Sequence, residues 1–385
     1  MTIDSLETPA LLVDYDIMMR NIRKMRDRAA NAGVNIRPHT KTHKCPAIAH
    51  LQLRNGARGI AVAKIGEAQV MAESGIDDIL IAYPIVGEHK VARLLNLRNW
   101  VPRVACTVDS IEGARALSDA VLSGVVLTDR PLDVYIEVDV GFHRVGLPAG
   151  EEVVNFALSI RDLSGIRIRG ILTHAGHAHS AETPEQLLSI ARSEAESMAL
   201  TARMLSESGI HIDEVSIGST PTSYVLDSFA GITELRPGTY VFNDADLVGL
   251  GVVGIDDCAL SVLTSVVSRP APDRVVFDAG SKALSSDKQS KCKIPGHGVV
   301  KDYPDMWIER LSEEHAMAQV QPNVTAKWNT NLIAPAAHRI PEIGEKLQIV
   351  PNHACPAVNL FDRLVIVKDG IPISEWSIQG RGKLA

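Results

Sequence analysis

The chain has 385 residues, enough for two domains, with 45% apolar residues, 22% charged residues and a net charge of −7. Such a composition fits a soluble globular protein and argues against nucleic acid as a partner. Five scattered cysteines (Cys45, Cys106, Cys258, Cys292 and Cys355) form no C-x-x-C pair, so no disulfide framework is expected and the reducing cytoplasm is the expected location. The N-terminus lacks the charged and apolar regions of a signal peptide, and no run of about 18 apolar residues is present to span a membrane.

In chain order, 10–14 reads as a strand. A helix follows to about Ala32, with Asp16 as candidate cap, Ile17, Ile22 and Met25 as its apolar stripe, and Gly33 as its stop. A strand then runs into Asn35-Ile36-Arg37-Pro38-His39-Thr40-Lys41-Thr42-His43-Lys44. A lysine in such a place is either a surface charge or a covalent catalyst. Further strand patterns lie at 59–63, 78–82, 103–108, 132–139, 169–174, 214–218 and 233–236. Helical patterns follow most of them, the clearest at 184–208. Eight near-continuous apolar strands alternating with helices predict an α/β fold, a parallel (β/α)8 TIM barrel. Reacting groups in such barrels sit at the C-terminal strand ends, where Lys41, Asp139, His174, Gly218 and Arg236 fall. After about Leu247, strands at 260–267, 274–278, 346–350 and 363–367 have no long helices between them, which predicts a mainly antiparallel C-terminal β domain. The expected division is a barrel over 16–246 and a β domain made of 1–15 and 247–385. Lys282, Lys288, Lys291 and Lys293 read as a solvated basic loop.

Three groups of residues can carry chemistry. Gly218-Ser219-Thr220-Pro221-Thr222 is either an ordinary turn or a phosphate cradle of backbone N–H and hydroxyl donors. Arg236-Pro237-Gly238-Thr239-Tyr240 repeats that offer one strand later, where barrels commonly bind phosphate. His174, His177 and His179 suggest acid–base or metal chemistry, although His179 reads as solvated. His353 and Cys355 would lie on one face of an extended segment and could share a borderline ion such as Zn²⁺.

Together these motifs resemble the fold type III pyridoxal-phosphate enzymes over nearly the whole chain. Lys41, the stretch Asp139-Val140-Gly141-Phe142-His143-Arg144-Val145-Gly146, the run ending in His174 and the Arg236-Pro237-Gly238 triplet are similar to alanine racemase motifs. The 37–44 stretch is closer to the metal-dependent D-threonine aldolases and D-serine dehydratases. The resemblance implies a pyridoxal-phosphate barrel in which Lys41, rather than Lys44, holds the cofactor as a Schiff base and removes the substrate α-proton. Gly218, Ser219, Thr220, Gly238 and Thr239 would bind its phosphate, with the Tyr240 hydroxyl added. Arg144 would approach the phenolate oxygen, and Arg236 the pyridine nitrogen with His174 beside it. His43 and Lys44 would be supporting charges. His353 and Cys355 would hold a divalent metal, zinc or manganese, acting on the substrate β-hydroxyl.

Details favour dehydratases within the group. The aldolases typically carry His-x-Asp at the metal, a histidine where this chain has Ala175, and a Gly-Gly-Thr-Gly-Ser phosphate loop. The implied function is a lyase that converts small D-β-hydroxy amino acids (D-serine, D-threonine or D-threo-3-hydroxyaspartate) to a 2-oxo acid and ammonia. The alternative is retro-aldol cleavage to glycine and an aldehyde. A non-catalytic pyridoxal-phosphate-binding protein is remoter, since such single-domain barrels lack the β domain. A homodimer is also implied, with neither nucleic acid nor membrane as partner.

Overall fold

Short runs of Val, Ile, Leu and Ala make strands buried on both faces, and such strands pair in parallel with helices covering them. In the computed structural model, which describes residues 2–123, 130–287, 296–303, 306–320 and 339–385, this pattern builds one of two compact units. That unit comprises 25–178, 185–238 and 382–385. Its strands run in the order Asn35–Ile36, Glu234–Leu235, Glu214–Ile217, Ile166–Thr173, Leu132–Asp139, Arg103–Val108, Asp78–Pro84 and Ile60–Val62, all pairs parallel. A parallel bridge between His39 and Ala61 joins the two ends of this series, and Ala61 N–H donates to Pro38 O at 2.8 Å. Ala61, Leu80, Tyr135 and Leu172 form a buried cluster from four of these strands.

The sequence places Lys41 at the end of a strand. The structure instead ends that strand at Ile36 and puts Lys41 in the 3-10 turn Thr40–Thr42. The helix predicted from Asp16 is Tyr15–Asn31, and its first-turn acceptor is Asp14, whose Oδ1 takes the Ile17 N–H at 2.9 Å. Strand and helix abut with no loop between them, so the last strand residue does the capping expected of Asp16.

The second unit comprises 1–24, 179–184 and 239–381. Its sheet runs Arg274–Phe277, Ala316–Val320, Met306–Leu311, Val299–Val300, Lys346–Val350, Leu260–Ala271, Ala10–Asp14, Arg363–Lys368 and Ile371–Ser377. Leu260–Ala271 also pairs with Arg274–Phe277, so six of these strands close a ring of antiparallel pairs. Only the pairing of Ala10–Asp14 with Arg363–Lys368 is parallel among the described strands of this sheet. The described cysteines are free, with Cys45, Cys106 and Cys258 buried. Among the described residues no helix is long and apolar enough to cross a membrane. Lys282 is paired with Glu314 at 2.7 Å, while Lys288, Lys291, Lys293 and Cys292 lie outside the described residues.

Candidate active site

In the parallel unit, His39 closes the 3-10 turn that carries Lys41. Its Nδ1 accepts the Lys41 backbone N–H at 3.4 Å. Directly after the strand that ends at Thr173, His174 donates from Nδ1 to Gly218 O at 2.8 Å, leaving Nε2 as an acceptor. Desolvation holds both imidazoles well below the usual histidine range, and the nearby charges of Lys41, Arg236 and Arg144 push in the same direction. Lys41, Arg144 and Arg236 thus act together on His174 and on His39, a residue the sequence reading did not include. Only its place two residues before Lys41 hinted at that role.

Arg236 is buried, donating from Nη1 to Ser216 Oγ at 2.6 Å and from Nη2 to Thr173 O. Arg144 sits 3.8 Å from Glu137 Oε1 and 5.3 Å from the centre of the Phe142 ring, which in turn packs edge-on to His174. Asp139 shapes the loop before Arg144. Its carboxylate accepts the N–H groups of Gly141 and His143 and the His143 ring, which outweigh desolvation and hold it below the usual carboxylate range.

Lys44 and His43 differ from each other in kind. Lys44 is 7% exposed and paired with Glu67, 2% exposed, at 3.2 Å. His43 is fully buried and uncharged, which corrects its reading as a supporting charge. Its Nε2–H donates to Gln52 Oε1 at 3.2 Å and its Nδ1 accepts the Cys45 N–H at 3.1 Å, an arrangement that suits the neutral ring. Burial lowers it to about 4. The unfolded chain then binds a proton that the folded chain refuses between about pH 6.5 and pH 4. Stability from this group is present above that window and lost as pH falls through it, by about 3 kcal/mol. Denaturant midpoints at pH 7 and pH 4.5 should show this loss, and His43→Gln should shrink it; an equal loss in the variant would refute the assignment.

The Gly218 loop packs closely against the Arg236 and Gly238 backbones. A Cβ at Gly218 would lie 2.8 Å from Arg236 N, and one at Gly238 would lie 3.0 Å from Thr42 Oγ1 and 3.2 Å from His39 O. Backbones therefore approach where side chains do not fit. Ser219 caps the helix Thr220–Val225 through the Thr222 N–H, and Thr220 Oγ1 accepts the Gly238 N–H at 3.3 Å. Buried Glu194 holds this loop to its neighbour, since Oε1 accepts the N–H groups of Ala175 at 3.3 Å and Gly218 at 3.2 Å. Sequence reasoning missed Glu194, yet a signal was there. It sits among Leu187, Ala191, Ala195 and Met198 on the buried stripe of Pro184–Glu207.

The other unit holds Thr239, Tyr240, His353 and Cys355. Tyr240 is buried, and Thr239 Oγ1 is 4.0 Å from Cys355 Sγ. His353 is extended, but Cys355 lies in the first turn of the helix Ala354–Val358, so a helix start rather than strand alternation relates the two. Asp244 fixes that start by accepting the Ala354 N–H at 3.0 Å and the Leu247 N–H at 3.2 Å. The His353 ring reaches the Cys355 side chain, and its Nδ1 donates to Asp287 Oδ2 at 2.9 Å. Burial opposes its charge, but Cys355, Asp244 and Asp287 outweigh burial and push it up to about 10. An imidazole oriented by a carboxylate and set against a thiol suits a borderline metal ion. Among the described residues no group of three or more His, Cys, Asp or Glu side chains forms a metal set, so these two ligands would leave positions open. His179, read as solvated, instead pairs with Asp246 at 2.5 Å.

Comparison with known proteins places the chain in a family. The family model for the alanine racemase N-terminal domain matches residues 13–246, and a serine dehydratase domain model matches residues 259–367. The chain belongs to the alanine racemase N-terminal domain family. Within this family it is 34% identical over 381 residues to a D-threonine aldolase from Arthrobacter sp., covering 98% of this chain and 93% of that one. It is also 34% identical over 364 residues to D-threo-3-hydroxyaspartate dehydratase from Delftia sp. strain HT23, covering 92% of each. A solved cysteine-to-alanine variant of D-threo-3-hydroxyaspartate dehydratase, in a metal-free form, superposes with a TM-score of 0.85 at 30% identity over 98% of both chains. The fold is that of alanine racemase, a parallel sheet unit with a separate antiparallel barrel.

Proposed function

We propose that this lyase is a pyridoxal phosphate- and metal-dependent dehydratase of small D-β-hydroxy amino acids, working on a (β/α)8 barrel over 16–246 and a β domain of 1–15 and 247–385. Pyridoxal phosphate, when bound, acidifies the Cα–H of an amino acid attached to it. A divalent metal held by His353 and Cys355 would act as a Lewis acid at the β-oxygen. Lys41 Nζ anchors the cofactor and takes the α-proton. Arg144 would approach the cofactor phenolate oxygen and Arg236 the pyridine nitrogen, its always-charged guanidinium keeping that nitrogen unprotonated. Neutral His39 and His174 orient without competing for the α-proton. Gly218, Ser219, Thr220, Gly238 and Thr239 would supply the phosphate donors, with the Tyr240 hydroxyl added, and Glu194 holds the Gly218 loop in register.

The observation that carries dehydration over aldol cleavage is Ala175. It follows His174, is fully buried, and has its N–H held by Glu194, so this position offers no side-chain base for a β-hydroxyl proton. Retro-aldol cleavage needs such a base. The D-threonine aldolase relative keeps that second reading in play. Product analysis with D-serine and D-threonine separates them. Pyruvate and 2-oxobutyrate with stoichiometric ammonia are expected; glycine and acetaldehyde as the main products from D-threonine would establish the aldolase instead.

A further inference from the structure

Within the parallel unit, Glu234 precedes Arg236 by two residues, and alternation along a strand puts both side chains on one face. Ser216, on the neighbouring strand, is in register with Glu234. All three side chains are buried, Glu234 completely. The Ser216 hydroxyl donates to Glu234 Oε1 at 2.7 Å, which leaves its oxygen as the acceptor for Arg236 Nη1 at 2.6 Å. The second carboxylate oxygen, Glu234 Oε2, accepts Arg37 Nε at 2.9 Å, and Arg37 Nη1 reaches Asp78 Oδ1 at 2.5 Å. A continuous line of bonds therefore runs from Asp78 through Arg37, Glu234 and Ser216 to Arg236, whose Nη2 ends it on Thr173 O.

A buried ion pair needs only part of this line. Arg37 has Asp78 and Glu234, and an alanine at position 216 would leave that pairing intact. The Ser216 hydroxyl is the link that carries the line on to Arg236, and Glu234 fixes which way that hydroxyl points. Bonds at Ser216 and Thr173 hold two corners of a planar guanidinium, which sets its plane and leaves further N–H groups for a partner. Burial pushes the Arg236 guanidinium below its ordinary range, and Glu234 is foremost among the carboxylates that oppose this. We propose that Ser216 and Glu234 are positioning residues, which aim the Arg236 guanidinium and thereby keep the cofactor ring nitrogen unprotonated. This rests on the pyridoxal phosphate reading of Arg236 above, and not on the choice between dehydration and aldol cleavage.

Magnetic resonance of the holoenzyme, loaded with pyridoxal phosphate isotopically labelled at its ring nitrogen, tests it without reference to turnover. In the unaltered protein that nitrogen is expected to stay unprotonated across the pH range in which the fold persists. Ser216→Ala leaves Arg236 held at Thr173 O and should raise the proton affinity of the nitrogen about tenfold or more, so that a protonated signal appears as pH falls. Ser216→Thr keeps a hydroxyl and should restore the unaltered signal. Glu234→Gln removes the charge and should move the signal in the same direction as Ser216→Ala. Because Glu234→Gln also breaks the buried Arg37 pair, Ser216→Ala carries the test should that variant not fold. A packing role alone would lower the melting temperature and leave the ring nitrogen unmoved in Ser216→Ala, and that result would overturn the proposal. A folded Ser216→Thr protein that matches Ser216→Ala would overturn it as well. Failure of the unaltered protein to bind pyridoxal phosphate, or a ring nitrogen already protonated in it, would refute the reading of Arg236 and the proposal with it.

Discussion

Lys41→Ala is expected to abolish the visible absorption of the lysine-bound cofactor and to lower turnover about 10⁴-fold or more, because one amine is proposed as both anchor and base. Lys44→Met is expected to do the reverse. It should keep the absorption but lose about 3–5 kcal/mol of stability, the usual consequence of removing one partner from a buried ion pair. The contrast follows from the surroundings of the two amines. Lys44 Nζ is committed to Glu67 at 3.2 Å, and Glu67 in turn accepts the Ala63 N–H at 2.8 Å. Lys44 also has a backbone φ of 50°, which a short turn imposes. Lys41 is only partly buried, on the turn capped by His39, where the charges of Arg144 and Arg236 act on the same imidazoles as its own. Spectra of the two purified variants, with denaturant melts, decide the matter. A cofactor band that survives in Lys41→Ala and disappears in Lys44→Met would transfer the anchor to Lys44.

The sequence separated these lysines by resemblance and by Lys41 lying nearer the expected strand end, and the structure removes the second ground by ending that strand at Ile36. Their difference lies in Glu67, a partner that no local pattern reveals. The parallel strands were legible for the opposite reason. Burial on both faces forces unbroken apolar runs such as Ile79-Leu80-Ile81, and glycines such as Gly33 and Gly75 interrupt the helical patterns. The antiparallel unit was half legible. Leu260–Ala271 and Arg363–Lys368 carry apolar runs, whereas Ile371–Ser377 is largely exposed and mixes Ser, Glu and Pro into its alternation. Met306–Leu311 carries exposed Glu309 and Arg310 in its second half and gave no clear signal either. Long-range partners escaped altogether. Asp287 is 66 residues from His353, and nothing near it marks it as a neighbour of the proposed metal ligands.

Asp287 gives the second large effect its internal control. Cys355→Ala and His353→Ala are each expected to lose tightly bound zinc or manganese, measured by elemental analysis of the purified protein, and to lower turnover at least about 100-fold, more than removal of an outer partner does. Asp287→Asn removes no ligand but weakens the grip on His353 Nδ1–H, so metal affinity should fall about 10–100-fold while added metal restores turnover. The graded pair matters because a purely structural role for Cys355 predicts something else. In that case Cys355→Ala would melt earlier without changing metal content, and Asp287→Asn would be silent. All three variants should keep the cofactor absorption set by Lys41, since His353, Cys355 and Asp287 make none of the contacts that position that lysine. Full metal occupancy and full activity in Cys355→Ala would remove the thiol from the metal site, and with it the preference for a borderline ion that the imidazole–thiolate pair confers.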